Sequence, residues 1–294
     1  LKGESTKMNF FTPAQVAANA CSAGKTKAEM GLLPMIILGI LAGVFIGFGA
    51  NLATVVGADG GSKFLFGAVF SIGLMLVVIG GAELFTGNNM FLAICALNGQ
   101  TSWGSVLYNW TIVFFTNFAG SLLLVYIIFW GMYWIGPAAD GAGLALTAHG
   151  AKAAAIAQGK LSLTWSSAFF RGICCNWLVC MAVWLALTAK DTIGKIFAIF
   201  FPIMGFVTSG FEHSVANMFF IPMGITIVNK VPGLAAAAGF DPALFTYGNF
   251  IMNNLIPVTL GNIVGGAFFV AFLYYMVYLR PAKIAAQKNA GVSA

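Results

Sequence analysis

The sequence predicts an all-α membrane protein of six transmembrane helices, built as two inverted three-helix repeats in which the second and fifth helices are broken. Three observations carry this. The 294 residues are 60% hydrophobic and 7% charged, with a mean hydropathy of +0.92, whereas a soluble domain carries roughly 25% charged residues. Apolar runs of about 20 residues, the length that crosses a bilayer, recur along the chain. Two of those runs are interrupted by polar residues at corresponding places in the two halves, as expected of discontinuous helices that meet at a midplane site.

Taken in order, residues 9–30 are Ala-rich with scattered Lys and suit an amphipathic helix on the membrane surface. The first span covers about 34–56, where Gly39, Gly43, Gly47 and Gly49 allow close helix contact. The second begins near residue 64, is interrupted at 83–89 (Glu-Leu-Phe-Thr-Gly-Asn-Asn) and resumes over 90–97. Span three covers about 106–134. A long Gly- and Ala-rich loop, 135–164, then carries Asp140, His149, Lys152 and Lys160. Span four covers about 165–187, with Arg171 near its start and Asn176 inside it. Span five runs from about 196 to 227 and span six from about 253 to 279. The expected division is an N-terminal interfacial segment (1–33), a transmembrane domain (34–279, with repeats 34–134 and 165–279) and a C-terminal tail (280–294).

Span five holds the most informative stretch, residues 205–218, in which Glu212, His213, Asn217 and several Gly and Ser interrupt an apolar run. Backbone at membrane depth must satisfy its own hydrogen bonds, so such a break fits only inside protein or beside a wet cavity. An ionisable residue there is a candidate functional site. The two breaks echo each other: Asn89-Met90-Phe91 matches Asn217-Met218-Phe219, an offset of 128 positions, and Asn117 in span three matches Asn262 in span six.

The net charge of +6 is spread thinly over loops and termini, which does not suit nucleic acid but helps an anion approach. Lys and Arg are more numerous on the side that holds both termini (Lys2, Lys7 and Lys288 among them), so both are expected in the cytoplasm. The N-terminus shows no cleavable signal pattern. The five cysteines lack a CxxC or zinc spacing and read as small hydrophobes. There is no HExxH, no second intramembrane His to pair as a haem or metal ligand and no nucleotide motif, so no cofactor is expected. A membrane-anchored redox subunit is the reading of a different class.

Four stretches resemble the formate/nitrite transporter family: Gly81-Ala82-Glu83-Leu84-Phe85-Thr86-Gly87-Asn88, Cys175-Asn176-Trp177-Leu178-Val179-Cys180, Gly210 to Met218, and Asn254 to Asn262. The resemblance covers about 34–279. It implies an aquaporin-like fold, a homopentamer in a prokaryotic inner membrane, and a pore in each protomer for a small monovalent weak-acid anion, formate first and nitrite or hydrosulfide as alternatives, with passage coupled to protons. It further implies that Thr86 and His213 face the pore, that Phe70 and Phe206 form an outer constriction and Leu74, Leu84, Phe85 and Val179 an inner one, and that Lys160, Asn176, Glu212 and Asn217 surround the histidine.

Each residue also has a plainer reading. His213 suits proton or hydrogen-bond donation because an imidazole titrates near physiological pH, or it is a buried structural His. Thr86 donates to a passing anion, or caps the resumed helix. Glu83 and Glu212 are expected to satisfy freed N–H groups near positive helix ends, and Asn89 and Asn217 to bridge freed backbone groups. Lys160 draws anions inward or is a solvated loop lysine, Arg171 adds to the same positive funnel or snorkels to the outer interface, and His149 is expected to be an exposed bystander.

Overall fold

In the computed structural model, residues 9–138, 141 and 143–285 are described; Lys2, Lys7, Asp140 and Lys288 lie outside them. Helix α1 (Pro13–Ala28) leads into α2 (Leu32–Ala58), followed by α3 (Lys63–Phe70), α4 (Ile72–Gly80), α5 (Phe85–Leu97) and α6 (Trp103–Trp130). A short antiparallel pair, β1 (Ile135–Pro137) and β2 (Leu144–Leu146), precedes α7 (Ala148–Leu161). The second half continues with α8 (Trp165–Thr188), α9 (Thr192–Thr208), α10 (Ser214–Lys230), α11 (Pro232–Ala237) and a last long helix, α12 (Tyr247–Ala285), which contains wide π-type turns around Pro257. Five helices among the described residues have the length and apolarity to cross a membrane; the shorter apolar helices are α5 and α9.

Glycine decides how closely the spans approach. In each half the first span packs against the third, α2 on α6 and α8 on α12. A side chain on Gly120 of α6 would overlap the carbonyl of Ile40, and one on Gly265 of α12 that of Ile173. Backbone-to-backbone contact of this kind replaces the hydrophobic drive that lipid cannot supply. Gly81 (φ 80°) and Gly210 (φ 72°) terminate α4 and α9 in the left-handed conformation and begin the two breaks. A Cβ is strained in that region, which suits glycine.

The structure adds to one expectation about the connecting segments and corrects another. The N-terminal helix docks one face on protein: Val16, Ala17, Ala20, Cys21 and Gly24 are buried, and Gly24 lies against the backbone of Phe91 on α5. Its small-residue face lets it dock on protein, and Phe11 N–H donates to Thr188 O at 2.9 Å to pin the chain before it. The stretch after span three is not a loop, because Thr147 caps a 14-residue helix by accepting from Gly150 N–H. That helix packs on α10 as α1 packs on α5.

His149 is also buried rather than exposed, its ring 4.4 Å from that of Tyr133, whose hydroxyl donates to Asn51 Oδ1 at 2.6 Å. Burial pushes its pKa below the ordinary value of 6.5, a shift that Asp59 opposes. A buried neutral His stabilises the fold fully above its unfolded pKa, and that stability is lost as pH falls towards the lower folded value. The melting temperature of the purified protein should therefore fall as pH is lowered from about 7.5 to about 5, and His149→Phe should flatten that dependence. Gly120→Val and Gly265→Val should each lower thermal stability by about 3 kcal/mol or more through overpacking, read as lost or aggregated protein on size exclusion.

Candidate functional site

Each break leaves N–H groups at the start of a helix and carbonyls between its halves, and at each break one asparagine takes the first N–H and one carbonyl while also binding a carbonyl of the first span. Asn117 Oδ1 accepts from Phe85 N–H at 2.9 Å, while its Nδ2 donates to Gly39 O and Glu83 O at 2.8 and 2.9 Å. In the other half Asn262 Oδ1 accepts from Ser214 N–H at 2.9 Å and its Nδ2 donates to Gly172 O and Glu212 O at 2.8 and 3.0 Å. Both side chains are fully buried. An unmade hydrogen bond at such a place costs about 1–3 kcal/mol.

The acidic residues act differently from expectation. Glu83 pairs with Lys27 of α1 and accepts from Asn88 Nδ2 at 2.8 Å. Glu212 pairs with Lys160 of α7 at 3.0 Å and accepts from Asn217 Nδ2 at 2.7 Å. The carboxylates thus hold side-chain cations and amides, leaving the first N–H of each resumed helix to Asn117 and Asn262. Further out, Asn88 donates to Asn109 and Asn217 to Asn254, and these two amides reach the carbonyls of Lys27 and Lys160 respectively. The lysines lie over the rings of Phe91 and Phe220, each 5.4 Å from the centroid.

The duplication is therefore deeper than the sequence match, and its register is one residue different. Glu212 and Asn217 follow Glu83 and Asn88 by the same 129 positions, so Asn88 rather than Asn89 is the mate of Asn217. Asn89 Oδ1 instead accepts from Asn176 Nδ2 at 3.2 Å. Asn176 also donates to Thr86 O and Asn262 O at 3.1 and 2.7 Å, tying the two breaks together from α8.

At the centre His213, 2% exposed, lies within 2.9 Å of Thr86 Oγ1 through Nε2, while its Nδ1 accepts from Ala216 N–H at 3.0 Å. The cap fixes the tautomer: Nδ1 supplies a lone pair, so the neutral ring carries its proton on Nε2 and donates to Thr86. Thr86 does not cap α5, since Asn117 holds Phe85 N–H, and its hydroxyl proton remains available.

A cavity of about 170 Å³ reaches His213 from the α7 side, walled by Phe70, Phe206, Phe220, Lys160 and Glu212. The Phe70 and Phe206 rings meet edge to face at 5.9 Å. From the α1 side a cavity of about 320 Å³ is lined by Lys27, Leu74, Glu83, Leu84, Asn88 and Lys195, and shares no lining residue with the first. Val179 is buried one helical turn from Val183, which lines this cavity. Phe85 is turned away: its ring packs on Trp110 and Phe114 of α6, outside both cavities. Asn176 and Asn217 likewise stand behind the cavities as bracing. Sequence reasoning passes over Lys27, Asn88, Asn109 and Asn254 as site residues; the fixed spacing of each Asn from its Glu or capping Asn is the available signal.

The ion pairs make a specific demand. The Lys160 and Glu212 side chains are 16% and 5% exposed, and removing one partner of a buried pair costs about 3–5 kcal/mol because the other charge is stranded. Lys160→Met should lower the melting temperature sharply, and adding Glu212→Gln should recover much of the loss, measured by thermal unfolding in detergent.

A family model described as Formate/nitrite transporter matches residues 14–276. A probable formate transporter of Methanothermobacter thermautotrophicus is 46% identical over 92% of this chain and 98% of its own length. The formate channel FocA of Escherichia coli K12 is 38% identical, covering 92% and 96%. Among solved structures, a pentameric formate channel with formate bound superposes with a TM-score of 0.71 at 40% identity, covering 85% of this chain and 98% of that one. These relatives are channels and transporters, not enzymes, which sets aside the redox-subunit reading. The chain belongs to the formate/nitrite transporter family.

Proposed function

We propose that this chain is a formate channel of a prokaryotic inner membrane, with both termini cytoplasmic, that assembles as a homopentamer with one path per protomer. Formate crosses with a proton, between the two cavities, at His213 and Thr86. The observation that carries this reading is the His213–Thr86 hydrogen bond at the junction of two broken helices, with an apolar-walled cavity on either side. The relatives described as formate transporters and channels support the choice of formate. The structure titled a pentameric formate channel supports the assembly.

The physical argument concerns desolvation. Moving a carboxylate out of water costs several kcal/mol even after relaxation, and Phe70, Phe206, Leu74 and Leu84 offer nothing to replace the lost water. A weak acid escapes this by crossing as its neutral form. At the junction Nε2–H donates to Thr86, and the hydroxyl proton of Thr86 is free to meet an oxygen of the passing species. His213 thereby orients a donor rather than holding a positive charge of its own. Nitrite and hydrosulfide obey the same chemistry and are the alternatives to formate.

The test is uptake by proteoliposomes containing a pH-sensitive dye, with imposed gradients of formate, nitrite, hydrosulfide or chloride. Formate should change the internal pH and chloride should not. His213→Ala should lower the formate rate about twofold to tenfold, the worth of a neutral hydrogen bond, while leaving the oligomer intact on native mass analysis. Equal passage of chloride and formate, indifferent to His213, would leave a plain anion pore.

A further inference from the structure

Charge at the two mouths is not distributed as the nearest lysines suggest. Lys27 is neutralised by Glu83 and Lys160 by Glu212, and the field of a close ion pair falls off faster than that of a single charge. An anion in bulk water therefore feels mainly the cations that have no carboxylate partner. On the α7 side these are Lys63, Lys152 and Arg171, which line a further cavity of about 470 Å³ above Phe66 and Phe211. Among the described residues none of the three has an ion pair. On the α1 side the cavity contains two cations, Lys27 and Lys195, and of these only Lys195 lacks a carboxylate partner among the described residues.

Lys195 is placed against local preference. It lies in the first turns of α9, directly after the Asp191 cap that accepts from Gly194 N–H at 2.7 Å. A helix N-terminus disfavours a cation, and the acid four residues before it, Asp191, offsets this only in part, since its carboxylate is engaged by Gly194 N–H. Nor is the lysine an inheritance of the duplication. The position 129 residues earlier is Phe66, which walls the α7-side cavity where Lys195 walls the α1-side one. Arg171 shows the reverse asymmetry. Its carbonyl accepts from Glu212 N–H, as that of Leu38 accepts from Glu83 N–H, so the repeat mate of this cation is a leucine.

We propose that Lys195 is the residue that admits the anion from the α1 side, and that Lys63, Lys152 and Arg171 serve the α7 side, while the two buried lysine–glutamate pairs act as neutral walls. The proposal rests on the channel reading above. Lys195 is a positioning residue: it raises the local anion concentration at its mouth without touching the His213–Thr86 junction. Among the described residues that line the two cavities, three cations without a carboxylate partner stand on the α7 side and one on the α1 side, so the two mouths differ in ionic-strength dependence.

The experiment compares right-side-out and inverted membrane vesicles from cells expressing the full chain, measuring initial formate entry at about 10 mM and about 300 mM salt, on either side of physiological screening. Lys195→Gln should raise the half-saturating formate concentration about two- to fourfold at low salt in the vesicles that present the α1 side, and Lys195→Glu about five- to tenfold. Lys195→Arg should behave as the wild type. The maximal rate should be unchanged in each, and the differences should shrink at high salt. Arg171→Gln should show its effect in the opposite vesicles. The unmodified chain provides a second reading: formate entry from the α7 side should decline more steeply with salt than entry from the α1 side. Lys195→Gln having no effect, an equal effect in both orientations, or an effect on maximal rate alone would each overturn the proposal. Should Lys195→Gln not assemble, an equal salt dependence of the unmodified chain from both sides would overturn it as well. Absence of formate entry in unmodified vesicles would instead refute the channel reading, and this proposal with it.

Discussion

A helix cannot stop inside a bilayer without something to take its free backbone groups, and in this chain Asn117 and Asn262 meet that condition. Each is buried on the third span of its half and makes three contacts across one break, accepting from the first N–H of the resumed helix and donating to two carbonyls. With those groups held by protein, each half-helix can start in the interior and bring one side chain to the centre. Thr86 is carried there by α5, and His213 by the start of α10. Asn176 then connects the two breaks, so the junction is positioned by amide side chains rather than by packing alone.

The second constraint is electrostatic. A carboxylate five residues before an asparagine, at each break, needs a cation that does not come from the span itself. The chain supplies it from a separate helix on each side, Lys27 from α1 and Lys160 from α7. The repeating unit is thus a docked helix followed by three spans, since both lysines and both first-span carbonyls bind in matched fashion. Breaking a buried pair strands a charge, which explains why α1 is tied down by Gly24 against Phe91 and by Phe11 against Thr188. The pairing also leaves each lysine–glutamate pair beside the two cavities without net charge, which suits the proposed passage in neutral form.

Much of this is legible in the sequence, because membrane solvent makes polar residues conspicuous. The breaks at Glu83 and Glu212, the glycines before them and the match of Asn117 with Asn262 all stand out in apolar surroundings. What is illegible depends on docking. The 9–30 stretch has the composition of a surface helix, and only the close approach allowed by Gly24 shows that one of its faces docks on protein. The 135–164 stretch is rich in Gly and Ala, which suggests a loop, yet Thr147 caps a helix whose small residues pack on α10. His149 reads as exposed because its sequence neighbours are polar, whereas Tyr133 covers it. Phe85 groups with the constriction because it adjoins Leu84, although successive residues of a helix start point to different sides. The repeat register is ambiguous by one because Asn88 and Asn89 are adjacent, and the five-residue spacing from glutamate decides between them.

The proposed function turns on the state of His213 beside Thr86. Nδ1 is occupied by Ala216 N–H, and the proton rests on Nε2, turned towards Thr86. Nitrogen-15 NMR of histidine-labelled protein in lipid, with His149→Gln used to assign the two rings, reads both nitrogens directly. The expected result is an unprotonated Nδ1 and a protonated Nε2 whose signal shifts on adding formate and not on adding chloride. A ring protonated on both nitrogens in the resting channel, or one that does not respond to saturating formate, would contradict a neutral His213 that orients Thr86 for the passing acid.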